Sequence, residues 1–359
     1  MKRRIVWIAC LSLLCLFAAG YTLYRVNPPA VPDLPDSTVP RGSVVPGNVT
    51  PSPEQPKAGV SPSETAPADS TKTVRLVVMA DSRGDNRGVN TRVVKAIMEK
   101  IKKLSPQPLF AVMPGDLVDG AQSYPEVKRQ LEFFKKTMTG YYPPEFYYPG
   151  LGNHEVMHKS GGEKAFGEVF TEFKATFLEG YNRTVYYFDC GNTRFFMLNS
   201  DFPGETHRIA EKQLKWVRDN LDSSRKHTLF FVHEPPFPTG SGIGSSLDAN
   251  RLLRDRLWDL VDQAEGPMVF CGHEHYYTRR HIDAAFNEKV NGTEFKYEKT
   301  VYQVTAGSFG APLYKQYASK RNVDVPPVSK YHFAVVDIGE QIAVTVYDLD
   351  GKVIDRFRQ

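Results

Sequence analysis

From Val74 onward the chain alternates between two hydrophobic periods. VRLVVMA (74–80) is a short, nearly continuous apolar run, the pattern of a strand buried on both faces. Val89–Leu104 then places Val93, Ile97, Met98 and Ile101 at three- and four-residue spacing, which predicts an amphipathic helix. Leu109–Met113 and Glu145–Tyr148 predict strands on either side of a helix over Tyr124–Met138. Thr193–Leu198, Thr228–Val232 and Met268–Cys271 predict three more strands, with helices at Glu211–Leu221 and Leu252–Gln263 between them. Alternating strands and helices predict a layered α/β fold. No internal repeat is visible.

The candidate chemistry sits just past the strand ends. Val74–Ala80 leads to Asp81, and Leu109–Met113 leads to Gly115-Asp116. Glu145–Tyr148 leads to Gly152-Asn153-His154-Glu155. Thr228–Val232 leads to His233, and Met268–Cys271 to Gly272-His273-Glu274-His275. In open α/β sheets, ligands bind beyond the carboxyl ends of the strands. Taken singly, a Gly-Asp pair is a turn and a lone histidine is a satisfied core residue. The ordered set delivers Asp81, Asp116, Asn153 with His154, His233, and His273 with His275 toward one edge. Oxygen and imidazole donors without thiolates suit Mn, Fe, Zn or Co.

Ahead of this body lies a different kind of sequence. Lys2, Arg3 and Arg4 precede an apolar run from Ile5 to about Leu23. That is long enough to cross a bilayer and longer than the usual signal-peptide core of about 7–15 residues. Ala18-Ala19-Gly20 offers a cleavage site, so residues 1–26 read as a signal anchor or a signal peptide. The basic flank predicts a cytoplasmic N-terminus and an extracytoplasmic body, anchored to the cell membrane or secreted after cleavage. Residues 27–72 are rich in Pro, Ser, Thr and Gly and read as an extended linker. The body, 73–359, reads as one domain.

Composition narrows the partners. The chain is 41% hydrophobic and 24% charged, which is ordinary for a globular protein. A net charge of +4 over 359 residues, with no dense Lys/Arg stripe past the first few residues, gives no nucleic-acid surface. Only Cys190 and Cys271 remain in the body, too few for a disulfide framework.

Asp81, GD at 115–116, GNHE at 152–155, VHEPPF at 232–237 and GHEH at 272–275 together resemble the motifs of the calcineurin-like metallophosphoesterases. VTAGSFGAPLY (304–314) and YHFAVVDIGEQIAVTVYDLDGKVIDRF (331–357) resemble the final strands of the family's bacterial, purple-acid-phosphatase-like branch. The resemblance implies a four-layer α/β/β/α sandwich with mixed sheets over 73–359. It implies one or two divalent or trivalent transition-metal ions per chain. Asp116 would bridge them; Asn153, His233 and His273 would complete one shell, and Asp81 and His275 the other. His154 would sit over the phosphate without ligating. The implied reaction is hydrolysis of a phosphomonoester or phosphodiester by metal-bound hydroxide. The implied substrate is a phosphorylated small molecule or envelope component, met outside the cytoplasm.

The sequence departs from the family pattern at two positions. The family writes its first motif Asp-x-His, and here the triplet is Asp81-Ser82-Arg83. Arginine stays protonated and cannot ligate a metal. Arg83 either turns outward to grip a phosphate, or stands in the second ion's place, or marks a site that binds phosphorylated ligands without turnover. That last reading makes the protein a surface binder rather than an enzyme. The second departure is Asp119, which occupies the position of the purple acid phosphatases' iron-binding tyrosine, so no tyrosinate colour is expected. Glu155 and Glu274 read either as braces for the histidines beside them or as solvated loop residues. Phe237–Asn250 reads as a lid or a plain connector. His158, His207, His227, His281 and His332 read as surface or structural residues.

Overall fold

The computed structural model describes residues 73–359; the expected anchor (1–26) and linker (27–72) lie outside the described residues. Among the described residues no helix is long and apolar enough to cross a membrane. Two mixed sheets form the centre. The first runs in the order Val353–Arg358, Ile342–Asp348, His332–Ile338, Val74–Val78, Phe110–Met113, Tyr147–Pro149. Its last three strands are parallel and the others antiparallel. The second runs Val323–Val328, Tyr277–Ile282, Val301–Ala306, Pro267–Cys271, His227–Val232, Thr193–Leu198, Tyr186–Cys190, Thr176–Phe177. Its four central strands are parallel.

Period-two alternation sorts the second sheet's side chains into two layers. Phe195, Met197, Leu229, Phe231, Met268 and Phe270 join the core shared with the first sheet. Their neighbours Phe196, Leu198, Phe230, Val232, Val269 and Cys271 pack instead with helices Glu211–Asn220 and Arg251–Gln263. Helices Thr91–Ile101 and Tyr124–Thr139 join the first sheet's core through Val94, Ile97, Leu131 and Phe134. The result is the expected α/β/β/α sandwich. A strand with a sheet on one face and a helix on the other has no wet side, so its sequence reads as an unbroken apolar run.

Several boundaries shift by one to three residues from the sequence expectation, and two of the shifts bear on the ligand loops. The pattern predicts a strand at Glu145–Tyr148, but Pro144–Phe146 forms a 3-10 turn and the strand is Tyr147–Pro149. Pro143 and Pro144 have fixed φ and no N–H, which favours a turn over a ladder. The first strand's ladder stops at Val78 rather than Ala80. Beyond it, Met79 N donates to Val112 O at 3.2 Å, and Ala80 N donates across to Ala306 O of the second sheet at 3.2 Å. Phe309 N returns a bond to Ala80 O at 2.8 Å. These bonds stitch the two sheets together immediately before Asp81. Cys190 and Cys271 are buried and form no disulfide with each other.

Candidate metal centre

Asp81, Asp116 and His273 all have left-handed backbones, with φ of 63°, 49° and 68°. Side-chain-bearing residues adopt this region at a cost, and they concentrate where function requires it. Here the turn aims backbone donors at carboxylates. His273 N donates to both oxygens of Asp81 at 3.1 Å, and His154 N donates to Asp116 Oδ1 at 3.0 Å. The loops must also be thin. A Cβ on Gly152 would collide with Asp116 Oδ1, and one on Gly272 would collide with Asp81 Oδ2.

Four predicted ligands meet around one point. Asn153 Oδ1 lies 3.1 Å from His233 Nε2 and 3.0 Å from His273 Nδ1. His233 Nε2 lies 3.3 Å from Asp116 Oδ1. His233 donates its Nδ1 proton to Pro114 O at 3.0 Å, which turns Nε2 toward those two oxygens. With Nε2 in its metal-ligating form, three lone pairs face one another, and a cation among them removes their repulsion. Separations near 3 Å are the edges of a coordination shell with bonds of about 2.1 Å. The residues present therefore fit a metal ion.

Asp81, Asp116 and His275 bring ligating atoms within 4.8 Å of one another beside this shell. His275 Nδ1 donates to Pro312 O at 2.7 Å, which leaves Nε2 facing Asp81 Oδ1 at 3.4 Å. Arg83 enters here. Its Nη1 donates to Asp119 Oδ1 at 3.1 Å, and its Nε lies 3.7 Å from Asp116 Oδ2. The guanidinium thus turns in toward the carboxylates. Burial opposes its charge, but Asp116, Tyr314, Asp119 and Asp81 outweigh burial and raise its pKa.

Electrostatics keep the ligands in ligating form or make them ask for a cation. Burial holds His273 down to about 3, helped by His233, and holds His275 down to about 4, helped by Arg83. Both imidazoles are therefore neutral near pH 7. Burial pushes Asp81 up to about 8; His233 works against it and Asp116 adds to it. Asp116 is buried too, but His233, His154 and Arg83 hold it down to about 2. A buried carboxylate at Asp81 becomes comfortable only with more positive charge beside it.

A family model for calcineurin-like phosphoesterases matches residues 74–277. The chain belongs to this family. It is 26% identical over 204 residues to the human serine/threonine-protein phosphatase CPPED1, covering 54% of this chain and 62% of that protein. The chain thus spans under two thirds of the length of the curated relative. A purple acid phosphatase, PPD1 from yellow lupin (Lupinus luteus), superposes with a TM-score of 0.63 at 17% identity, over 82% of this chain and 55% of that one. GAP50, described as the anchor in the inner membrane complex of Plasmodium, superposes with a TM-score of 0.53 at 17% identity, over 80% and 88%. These superpositions show the shared fold.

Within this phosphoesterase frame the remaining residues take places. His154 stands outside the ligand shell. Its Nδ1 donates to Asp119 O at 2.8 Å, and its Nε2 lies 3.9 Å from Asp116 Oδ2. Glu155 is fully buried and braces three loop amides. Its Oε2 accepts from Gly152 N at 2.7 Å and Asp116 N at 3.2 Å, and its Oε1 accepts from Val118 N at 3.0 Å. Glu274, also fully buried, accepts from Gly240 N at 2.7 Å, Gly242 N at 3.0 Å and Thr239 N at 2.9 Å. It pins the start of the Gly/Ser segment. Tyr276 and Tyr277 belong to the buried core.

Sequence reasoning passed over two features. Tyr314 stacks on the His275 ring at 4.1 Å between centroids. Asp201, His207 and Glu234 form a second cluster of potential ligands. Asp201 lies just past the Thr193–Leu198 run as Asp81 lies just past Val74–Ala80, and the same strand-end signal would have found it. Two of the remaining histidines are tied to the fold: His227 Nε2 meets Gly339 O at 3.0 Å, and His281 Nδ1 meets Asp324 Oδ1 at 3.0 Å.

Proposed function

We propose that this calcineurin-like phosphoesterase hydrolyses phosphate esters at the centre built by Asp81, Asp116, Asn153, His233, His273 and His275. The observation that carries the reading is the meeting of Asn153 Oδ1, His233 Nε2, His273 Nδ1 and Asp116 Oδ1 around one point. A bound Mn, Fe, Zn or Co ion supplies Lewis acidity and lowers the pKa of water toward neutrality. Asp116, Asn153, His233 and His273 hold one ion. Asp81 and His275 frame the second position with Asp116, and Arg83 brings a fixed positive charge there. The same guanidinium opposes the negative charge that grows on the phosphoryl oxygens. His154, its Nδ1–H held by the Asp119 carbonyl, gives a proton from Nε2 to the leaving oxygen when the ring is doubly protonated, and is left as the neutral Nδ1–H imidazole.

The name of the human relative, a serine/threonine-protein phosphatase, favours a phosphomonoester over a diester. The basic Lys2–Arg4 flank and the apolar run after it support work on the extracytoplasmic side of a membrane, on a phosphorylated small molecule or envelope component. The test is hydrolysis of an aryl phosphate monoester and its diester by the purified chain, metal-stripped and then reloaded. Turnover that needs the metal and favours the monoester is expected. Metal-loaded protein inert on both esters, and on phosphopeptides, would contradict the reading.

A further inference from the structure

Asp201 and Glu234 are buried carboxylates, 1% and 0% exposed, that supply no ligand to the central shell. Each keeps one oxygen with no donor from any other group, Asp201 Oδ1 and Glu234 Oε2, and the two side chains lie within hydrogen-bond reach of each other. The other oxygens are engaged. Ser200 Oγ donates to Asp201 Oδ2 at 2.6 Å, and His207 Nδ1 lies 2.6 Å from Glu234 Oε1. Ligating atoms of Asp201, His207 and Glu234 all fall within 4.8 Å of one another. Among the described residues no lysine or arginine forms an ion pair with either acid; His207, a partly exposed imidazole, is the one positive candidate. Two carboxylates buried together without a counter-charge are costly, and orphaned oxygens add to that cost.

We infer that Asp201, His207 and Glu234 form an auxiliary cation site beside the centre, suited to a divalent first-row ion such as Zn²⁺ or Mn²⁺. Two carboxylates and one imidazole match the donors such ions take. The ion supplies the missing counter-charge and gives Asp201 Oδ1 and Glu234 Oε2 a partner. The exposed flank of His207 leaves a side open for water as a further ligand and for access of the ion. Glu234 directly adjoins His233, and Asp201 lies near the start of the loop after the neighbouring Thr193–Leu198 strand. The ion therefore ties that loop to the strand end that carries a central ligand. His207 adopts a left-handed backbone, φ 56°, as do Asp81, Asp116 and His273.

This inference does not rest on phosphoesterase activity. The full-length chain is stripped of metal, reloaded with Zn²⁺ and desalted, and zinc per chain is measured for wild type, His207→Ala and Asp201→Asn. Each variant is expected to hold one ion fewer than wild type, with unchanged circular dichroism. The same one-ion difference is expected in an Asn153→Ala background, which separates this site from the central shell. Reloading with Co²⁺ adds a spectral check, because one d–d absorption component should vanish with His207. Equal zinc content in folded wild type and His207→Ala overturns the inference and assigns a shared proton to the two acids. Should Asp201→Asn fail to fold, His207→Ala decides alone.

Discussion

Arg83 Nε lies 3.7 Å from Asp116 Oδ2 and is buried without a hydrogen-bond acceptor of its own. The family's first motif places a ligating imidazole at this residue; if Arg83 stands in the second ion's place, it brings a fixed charge of one where a divalent ion would bring two. Replacing Arg83 by His restores a ligand and removes that charge. Arg83→His is expected to bind one more ion per chain than wild type, measured by elemental analysis after reloading. Arg83→Ala is expected to lose turnover on the order of 100-fold, the scale for removing one charge-stabilising donor. Equal ion content in wild type and Arg83→His would show that Arg83 does not exclude an ion.

Glu155 holds the ligand loops from behind. In Glu155→Gln one oxygen becomes an amide donor facing a backbone N–H. The expected cost is about 1–3 kcal/mol, the range for an unsatisfied buried group. Chemical denaturation of metal-loaded protein reads it. Gly152 and Asp116 both rely on this carboxylate, so metal affinity should fall with stability. A variant with wild-type stability and affinity would reduce Glu155 to a passive neighbour.

Glu274 anchors Thr239, Gly240 and Gly242. Glu274→Gln is expected to speed hydrogen exchange at those three amides while the Pro267–Cys271 strand keeps its protection. Unchanged exchange at 239–242 would mean that the segment is held by other contacts.

His332 makes stability depend on pH in a defined direction. Burial lowers its pKa from 6.5 to about 4, partly offset by its bond to Lys330 O. Between those values the unfolded chain takes up a proton that the folded chain refuses. Stability is therefore lost as pH falls from about 6.5 to about 4, by about 3 kcal/mol from this residue. His332→Gln should flatten the wild-type curve over that window in denaturant titrations. Parallel curves for wild type and variant would remove His332 as the cause.

Much of the site is legible in the chain itself. Every strand that ends on a central ligand shows as an apolar run, because both of its faces are covered. Asp81, Asp116, Asn153, His233 and His273 stand out because costly polar residues end those runs. The return of His332–Ile338 to pair with Val74–Val78, with Val74 opposite Ile338, is not legible as a register. Pairing across so long a stretch of chain depends on the assembled layers, not on local pattern. The inward turn of Arg83 is not legible either, because side-chain torsions answer to neighbours from other loops. Glu155 and Glu274 read in sequence either as braces for the histidines beside them or as solvated loop acids, and only the backbone amides folded around them show that they brace loops. Asp201 is readable by the strand-end rule, but its partner His207 sits in an irregular loop with no periodic signal.

The proposed metal shell of Asn153, His233, His273 and Asp116, and its role in ester hydrolysis, meet their most direct test in one titration. Mn²⁺ or Zn²⁺ is added to metal-stripped wild type and Asn153→Ala while aryl phosphate turnover is followed in the same samples. Wild type is expected to gain turnover as its tightest central site fills. Asn153→Ala is expected to lose affinity at that site and turnover together, each by roughly 10–100-fold or more. Equal affinity in the two proteins, or filling of the wild-type site with no turnover, would contradict the proposed centre.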